Sequence, residues 1–162
     1  MQKGDVDPMD NIDLTVKFFE SGVGEGTDIR EYCTIRNSLI GSNCKVYERV
    51  SIKKATIGSG SDINAGSYVE NAEIGERVMI APNCIIVGVT HEFSRDVINH
   101  DDVFVRIIIG DGAWIGAGSI IMPGVTIGKN SVVGAGAIVK CDVPDNHRYV
   151  GTPLQFRLDS IS

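Results

Sequence analysis

The chemistry open to this chain rests on few side chains. It has three histidines (His91, His100 and His147), four cysteines and one tryptophan, Trp114. His91 lies in "VGVTHEFSRDVINHDDVFVR", Val87 to Arg106, which also holds His100. An imidazole, with an ordinary pKa of about 6.5, can take a proton from a hydroxyl or amine near neutral pH. A histidine of this stretch is therefore a candidate general base; Glu92, beside His91, could orient that ring. His100, in "NHDD", and His147, in "DNHR", read as surface turn residues. Cys33, Cys44, Cys84 and Cys141 form no CxxC or other metal-ligand spacing and read as reduced thiols. A catalytic zinc held by three histidines would need all three together, and the sequence has no close histidine pair. No metal is expected.

The elements that position these residues follow from an internal period. Aliphatic residues recur as Val23, Ile29, Ile35; Ile40, Val46, Ile52; Ile57, Ile63, Val69; and Ile74, Ile80, Ile86. They resume as Ile109, Ile115, Ile121 and Ile127, Val133, Val139. Spacing within a group is six, which fits neither a helix nor an amphipathic strand. Glycine follows the first member of each group (Gly24, Gly41, Gly58, Gly75, Gly110, Gly128), where it is expected to accept a conformation other residues resist. Two places before each aliphatic residue stands a small side chain, with Ile107 the exception; Cys33, Cys44 and Cys84 hold this position and read as packing residues. Three short strands per turn, each turning one aliphatic residue inward, make a coil of triangular cross-section. No such coil buries its face alone, so the stack is one cooperative domain. Six coils at about 4.8 Å each give a prism roughly 29 Å tall.

The period breaks between Gly75 and Gly110, 35 residues apart where 17 or 18 complete a coil. Arg95 and Asp101 occupy positions that should be small, so residues 87–106 read as a protruding loop rather than a degraded coil. Such long loops are often functional. Trp114 precedes the inward Ile115, and strand alternation points it outward. Gly116, Ala117, Gly134 and Ala135 follow inward positions in neighbouring coils and would let a slender ligand lie against the backbone.

The repeat resembles that of the hexapeptide-repeat family over about residues 21–157. The resemblance implies an all-β fold, a left-handed parallel β-helix of about six triangular coils with one protruding loop and a short C-terminal tail at 158–162. Three stretches narrow it to the maltose, galactoside and xenobiotic acetyltransferases. "IAPNCIIVGVTHEFS" resembles the stretch carrying their catalytic histidine, with His91 aligned. "IGDGAWIGAGSIIMPGVTIGKNSVVGAGAIVKCDVP" resembles their last two coils, and "VGTPLQFR" stands at their Gly-x-Pro turn. The resemblance implies acetyl-CoA as acyl donor, its arm along Gly116, Ala117 and Ala135, and Trp114 lining the acetyl and acceptor pocket. Lys140, Arg148 and Arg157 are candidates for the phosphates. The usual basic residue after the Gly-x-Pro turn is replaced by Leu154 and Gln155, so Arg157 takes that part. Asn64 roughly aligns with an acceptor-binding asparagine. The resemblance also implies a homotrimer with each site between subunits.

Composition bounds the partners. A net charge of −6 disfavours nucleic acid and anionic membranes. Acidic residues crowd the segment 1–20 and its surroundings, whereas residues 107–162 carry four basic against four acidic groups. "MQKGDVDPMD" lacks an apolar signal region and no run could span a membrane, which leads us to expect a cytoplasmic protein. The expected activity is acetyl transfer to a hydroxyl or amine of a sugar, sugar nucleotide or saccharide. Alternatives are a xenobiotic acceptor, such as an antibiotic, or a non-catalytic scaffold. The scaffold leaves the loop, His91 and Trp114 without purpose.

Overall fold

The computed structural model describes residues 11–93 and 98–151. Within them every element is a strand, and all pairings but one are parallel. Three sheets form the three faces of a prism, which the chain visits in the same order each turn. The first face has eight strands, from Asn11–Ile12 to Arg148–Tyr149; the second has seven, from Lys17–Phe19 to Ile138–Val139; the third has six, from Gly22–Val23 to Thr126–Ile127. The stack therefore exceeds the six coils expected. Asn11–Ile12 pairs with Asp28–Ile29, and Lys17–Phe19 with Thr34–Arg36, which brings part of the acidic segment into the ladder. Ile12 and Phe18 continue the steps of six and five towards Val23, a beat that a search for aliphatic residues alone misses at Phe18. Beyond the last expected coil, Val143 bridges Ile127, and Arg148–Tyr149 pairs with Val132–Val133.

The expected inward residues form the core, all buried except Val23, which is half-buried. At roughly 1.5–3 kcal/mol for each fully buried aliphatic side chain, this column dominates the favourable side of folding. The small positions do more than save space. Thr27 Oγ1 donates to the Gly41 carbonyl at 2.8 Å, Ser61 Oγ to Gly75 at 3.0 Å and Ser119 Oγ to Gly134 at 3.0 Å. The cysteines make the same bond: Cys33 Sγ to Tyr47 O at 2.9 Å, Cys44 Sγ to Gly58 O at 3.3 Å and Cys84 Sγ to Gly116 O at 3.2 Å. Their packing role thus includes tying one coil to the next. Cys141 is exposed.

The six glycines after the first aliphatic residue correct the sequence reading. None has a left-handed φ. They are required because the coils approach closely: a Cβ on Gly41 would lie 2.7 Å from Ser59 N, and one on Gly110 2.7 Å from Lys129 N. Left-handed positions lie elsewhere on the corners, many held by asparagine (Asn43, Asn71, Asn83, Asn130), whose short polar side chain tolerates this conformation.

Candidate active site

The interruption is a β-hairpin. Val89–Phe93 pairs antiparallel with Ile98–Phe104, and an irregularity shifts the register between His91 and Phe93. In the ladder Ile86 sits on Val69 and Ile107 on Ala72, so 21 residues replace a step of three. The excess, 18 residues, is one coil in length, yet the ladder runs past it: Ile107–Ile109 pairs directly with Ala72–Ile74. Val103, six residues before Ile109, does not continue the inward beat; it pairs with Thr90 in the hairpin. Ile107 escapes the small-residue rule at the corner where the chain returns from this excursion, and it is fully buried.

The hairpin is seated on Asn71 and Gly88, at the corner between the second and third faces. Asn71 is buried with a φ of 51°, and its Nδ2 donates to the Gly88 carbonyl at 2.7 Å. The same carbonyl accepts from Val105 N at 2.9 Å. A side chain on Gly88 would strike the Asn71 carbonyl and come within 2.8 Å of Val105 O, so glycine is required by contact rather than by φ. Phe104 packs under the Lys54 ammonium, 3.8 Å from the ring centre.

His91 is exposed on the first hairpin strand, opposite Asp102. Its Nδ1 lies 3.4 Å from the Asp101 carbonyl and 3.7 Å from Asp102 Oδ1. A carbonyl can only accept, so that contact requires a proton on Nδ1 and leaves Nε2 as the basic nitrogen of the neutral ring. Sequence reasoning named Glu92, but the carboxylate facing the ring belongs to Asp102, across the hairpin. Antiparallel pairing of "VTHEF" with "HDDVF" is the signal that could have found it.

Trp114 is outward, half exposed, on the first face. With Met79, Arg77, Gly112 and Ala113 it lines a shallow hollow. At the edge of that face towards the second, Gly116 and Gly134 stack, and the Gly136 N–H donates to the Ala117 carbonyl at 2.8 Å. Ala117 and Ala135 are exposed, and beside them Gly118 and Gly136 have no neighbour within 4 Å of a virtual Cβ. Further down, the matching positions hold Glu48 and Glu31. The C-terminal coils thus carry a corner of small residues with no side chain in the way of a narrow chain laid along it.

Asn64 lies on the same corner two coils below Gly116 and donates Nδ2 to the Ile80 carbonyl at 2.9 Å, so its amide helps to join coils. Lys140 is exposed at the far end of the second face, away from Ala135, and Arg148 is exposed beside Val132 on the first. Arg157 and the tail 158–162 lie outside the described residues, as do Leu154 and Gln155. His147 is exposed, with Nδ1 2.8 Å from the Asp145 carbonyl, as expected of a turn residue. Of the His100 side chain nothing is described. Among the described residues no three or more His, Cys, Asp or Glu side chains converge as a metal site would require, and no helix is long and apolar enough to cross a membrane.

A three-sided parallel solenoid with a histidine-bearing hairpin and a small-residue corner defines a class, and comparison with known proteins agrees. Residues 9–103 match the GlmU-like C-terminal hexapeptide model, and residues 106–141 the bacterial transferase hexapeptide (six repeats) model. The chain belongs to the hexapeptide-repeat transferases. It is 36% identical over 152 residues to a galactoside O-acetyltransferase of Lactococcus lactis, covering 89% of this chain and 73% of that protein. Against three further curated relatives the chain spans only 28% to 41% of their length. The structure of AntD, an N-acyltransferase from Bacillus cereus, superposes with a TM-score of 0.65 at 28% identity, over 85% of this chain and 82% of that one. The polySia specific acetyltransferase NeuO gives 0.64 at 26% identity, over 85% and 77%. Each of these three is an acetyl- or acyltransferase by name.

Proposed function

We propose that this chain is a cytoplasmic, acetyl-CoA-dependent acetyltransferase whose acceptor is a hydroxyl or amine on a sugar, sugar nucleotide or saccharide. The acceptor class is supported by the relatives: a galactoside O-acetyltransferase, and the AntD structure, which holds coenzyme A and an amino-sugar nucleotide. The thioester supplies an electrophilic carbonyl and a thiolate leaving group. His91 Nε2 takes the acceptor proton as the acceptor atom attacks that carbonyl, and returns it to the departing thiolate. Trp114, Gly116, Ala117 and Ala135 hold the pantetheine arm; Lys140 and Arg157 are assigned to its phosphates, and Asn64 with Trp114 to the acceptor. No covalent enzyme intermediate is needed.

One observation carries this reading. His91 and the small-residue corner flank the second face at its two opposite edges, and Trp114 looks out from the first face, across the prism from the hairpin corner. A side of six residues spans up to about 20 Å, beyond the reach of one imidazole. In this reading the base of one chain serves the small-residue corner of a neighbour, as in the homotrimer that the resemblance implies. Calorimetric titration with acetyl-CoA tests the donor without knowledge of the acceptor. Saturable binding near one site per chain is expected, with His91→Ala binding equally well but inactive in an acceptor screen. No binding at millimolar ligand by the folded protein refutes the proposal.

A further inference from the structure

Below the hairpin, the corner between the second and third faces carries a second hollow, of about 450 Å³, whose lining includes Glu20, Asn37, Lys54, Thr56 and Arg106. That volume lies within the range of small-molecule sites. Glu20, Asn37 and Lys54 stand one per coil, 17 residues apart, with left-handed φ values of 47°, 49° and 48°. They project from the corner as a column, Lys54 about 10 Å above Glu20 at the spacing of stacked strands. The next member of the column is Asn71, on which the hairpin is seated, and Arg106 follows one coil higher. Charge is uneven along this column. At the hairpin end the Lys54 ammonium lies 3.8 Å from the Phe104 ring centre and has no carboxylate partner among the described residues. The Arg106 guanidinium meets Glu73 only at 3.9 Å, with both side chains largely exposed, so most of its five donors are unused. The upper end thus sets two cations against one carboxylate, in a chain of net charge −6. Glu20 stands at the opposite end.

The hairpin turns His91 towards the same place. In an antiparallel pair, residues directly opposite each other share a face, and so do residues two apart on one strand. Phe104 opposes Val89 and Asp102 opposes His91, so Phe104 and His91 share one face of the hairpin as diagonal neighbours, roughly 7–8 Å apart. The Phe104 ring meets Lys54, so this face is the one turned down onto the hollow. An anionic group at Lys54 and Arg106 keeps clear of Asp101 and Asp102, which lie beside the imidazole. The molecule that carries it can then extend towards His91 Nε2, while the Asn37 amide and the Thr56 hydroxyl offer neutral partners to hydroxyl groups lower in the hollow.

We propose that this hollow binds the anionic group, a carboxylate or a phosphate, of an acidic saccharide acceptor, and that Lys54 and Arg106 select it. The anion site stands on the hollow itself; its ligand's part as acceptor rests on the acetyltransferase reading. The test is amide NMR of the full chain titrated with galactose 1-phosphate, galacturonate and galactose, which share a ring and differ in charge. Saturable shifts of the Asn37, Lys54, Thr56 and Arg106 amides are expected with at least one of the two anions and not with galactose. The tighter of the two tells phosphate from carboxylate. Lys54→Gln and Arg106→Gln should each weaken that binding about tenfold, the effect of one charged hydrogen bond at an exposed site. Lys54→Arg should restore most of the loss. Lys45→Gln removes the same charge from the first face, where Lys45 is exposed, and should change nothing. Unshifted hairpin amides in the ligand-free variants check their folding. No saturable shift with either anion, galactose binding as tightly, or an equal loss in Lys45→Gln would each overturn the proposal. So would inorganic phosphate or acetate binding as tightly as the corresponding sugar. Calorimetry with acetyl-CoA separates the proposal from the reading beneath it. Lys54→Gln and Arg106→Gln should bind acetyl-CoA as wild type does; an equal weakening there would assign the hollow to the donor's phosphates and overturn the acceptor assignment. A wild type that binds the sugar anion but no acetyl-CoA would count against the acetyltransferase reading and leave the anion site standing.

Discussion

Asn71 offers the sharpest quantitative test of how the hairpin is held. Its Nδ2 bond to Gly88 O is buried, but that carbonyl keeps a second donor in Val105 N. Losing the Asn71 bond therefore costs about 1 kcal/mol, the net worth of a hydrogen bond, rather than the penalty for an orphaned acceptor. Asn71 also holds a φ of 51°, and a residue with a Cβ but no polar group costs roughly 1–2 kcal/mol there. Asn71→Ala should thus destabilise by about 2–3 kcal/mol. Asn71→Gly loses the bond but not the conformation, while adding about 0.5–1 kcal/mol of chain entropy, for a total near 1.5–2 kcal/mol. The order is wild type, then Gly, then Ala. Urea unfolding at one fixed protein concentration, read by the fluorescence of Trp114, reports it, since Trp114 is the sole tryptophan and lies far from the mutated corner. Activity should fall further than stability in both variants, because the seat of His91 moves. An Ala variant as stable as wild type, or one more stable than the Gly variant, would refute the reasoning.

Asp102 faces His91 from an exposed position, and pairs of this kind change an equilibrium by no more than about fivefold. Asp102→Asn should lower kcat within that range at unchanged KM and Tm, and Asp102→Glu should recover part of the loss; steady-state kinetics would expose a thousandfold effect as evidence of a different role. Burial pushes the Cys33, Cys44 and Cys84 thiols above their ordinary pKa, whereas Cys141 is exposed. A thiol reagent at pH 7.5 should count one reactive cysteine in the native chain and four in urea. Because the folded values are raised, the contribution of these thiols to stability is full below the ordinary thiol pKa of about 8.5. It is lost as pH rises through the folded values, so Cys84→Ser, which keeps the hydrogen bond, should show a smaller alkaline loss of Tm than wild type.

The prism was legible because its period is carried by side-chain size and apolarity, properties a sequence displays directly. Ile29, Ile63 and Ile115 are inward as read, and Trp114 is outward. What was missed depends on pairing between distant segments. Asp102 meets His91 only once the hairpin register is fixed, and Glu92, its neighbour in sequence, points elsewhere by strand alternation. Composition misled at the other end. The acidic character of residues 1–20 hid the beat of Ile12 and Phe18, because charge on the outward positions says nothing about the inward ones. The repeated glycines misled in mechanism rather than place: sequence shows that a residue has no side chain, but not whether φ or a neighbouring coil forbids one.

The hairpin also shows why this architecture can host a site cheaply. A strand added within a sheet would break the ladder on both sides of it, whereas a corner excursion leaves every coil paired. Ile107–Ile109 takes its place on Ala72–Ile74, and Ile120–Ile121 on Ile85–Ile86, as though the excursion were absent. Lengthening the connection from three residues to 21 costs roughly 1.5–2 kcal/mol of closure entropy, less than one buried isoleucine of the column can return. The corner where this happens must release its carbonyls to the departing strands, and Asn71 and Gly88 together meet that need. On the proposed reading, chemistry is carried on an appendage whose geometry is set by two residues of the corner, while the stability of the prism is set elsewhere. Substitutions in the hairpin should accordingly change activity with little effect on unfolding, and substitutions in the column should do the reverse.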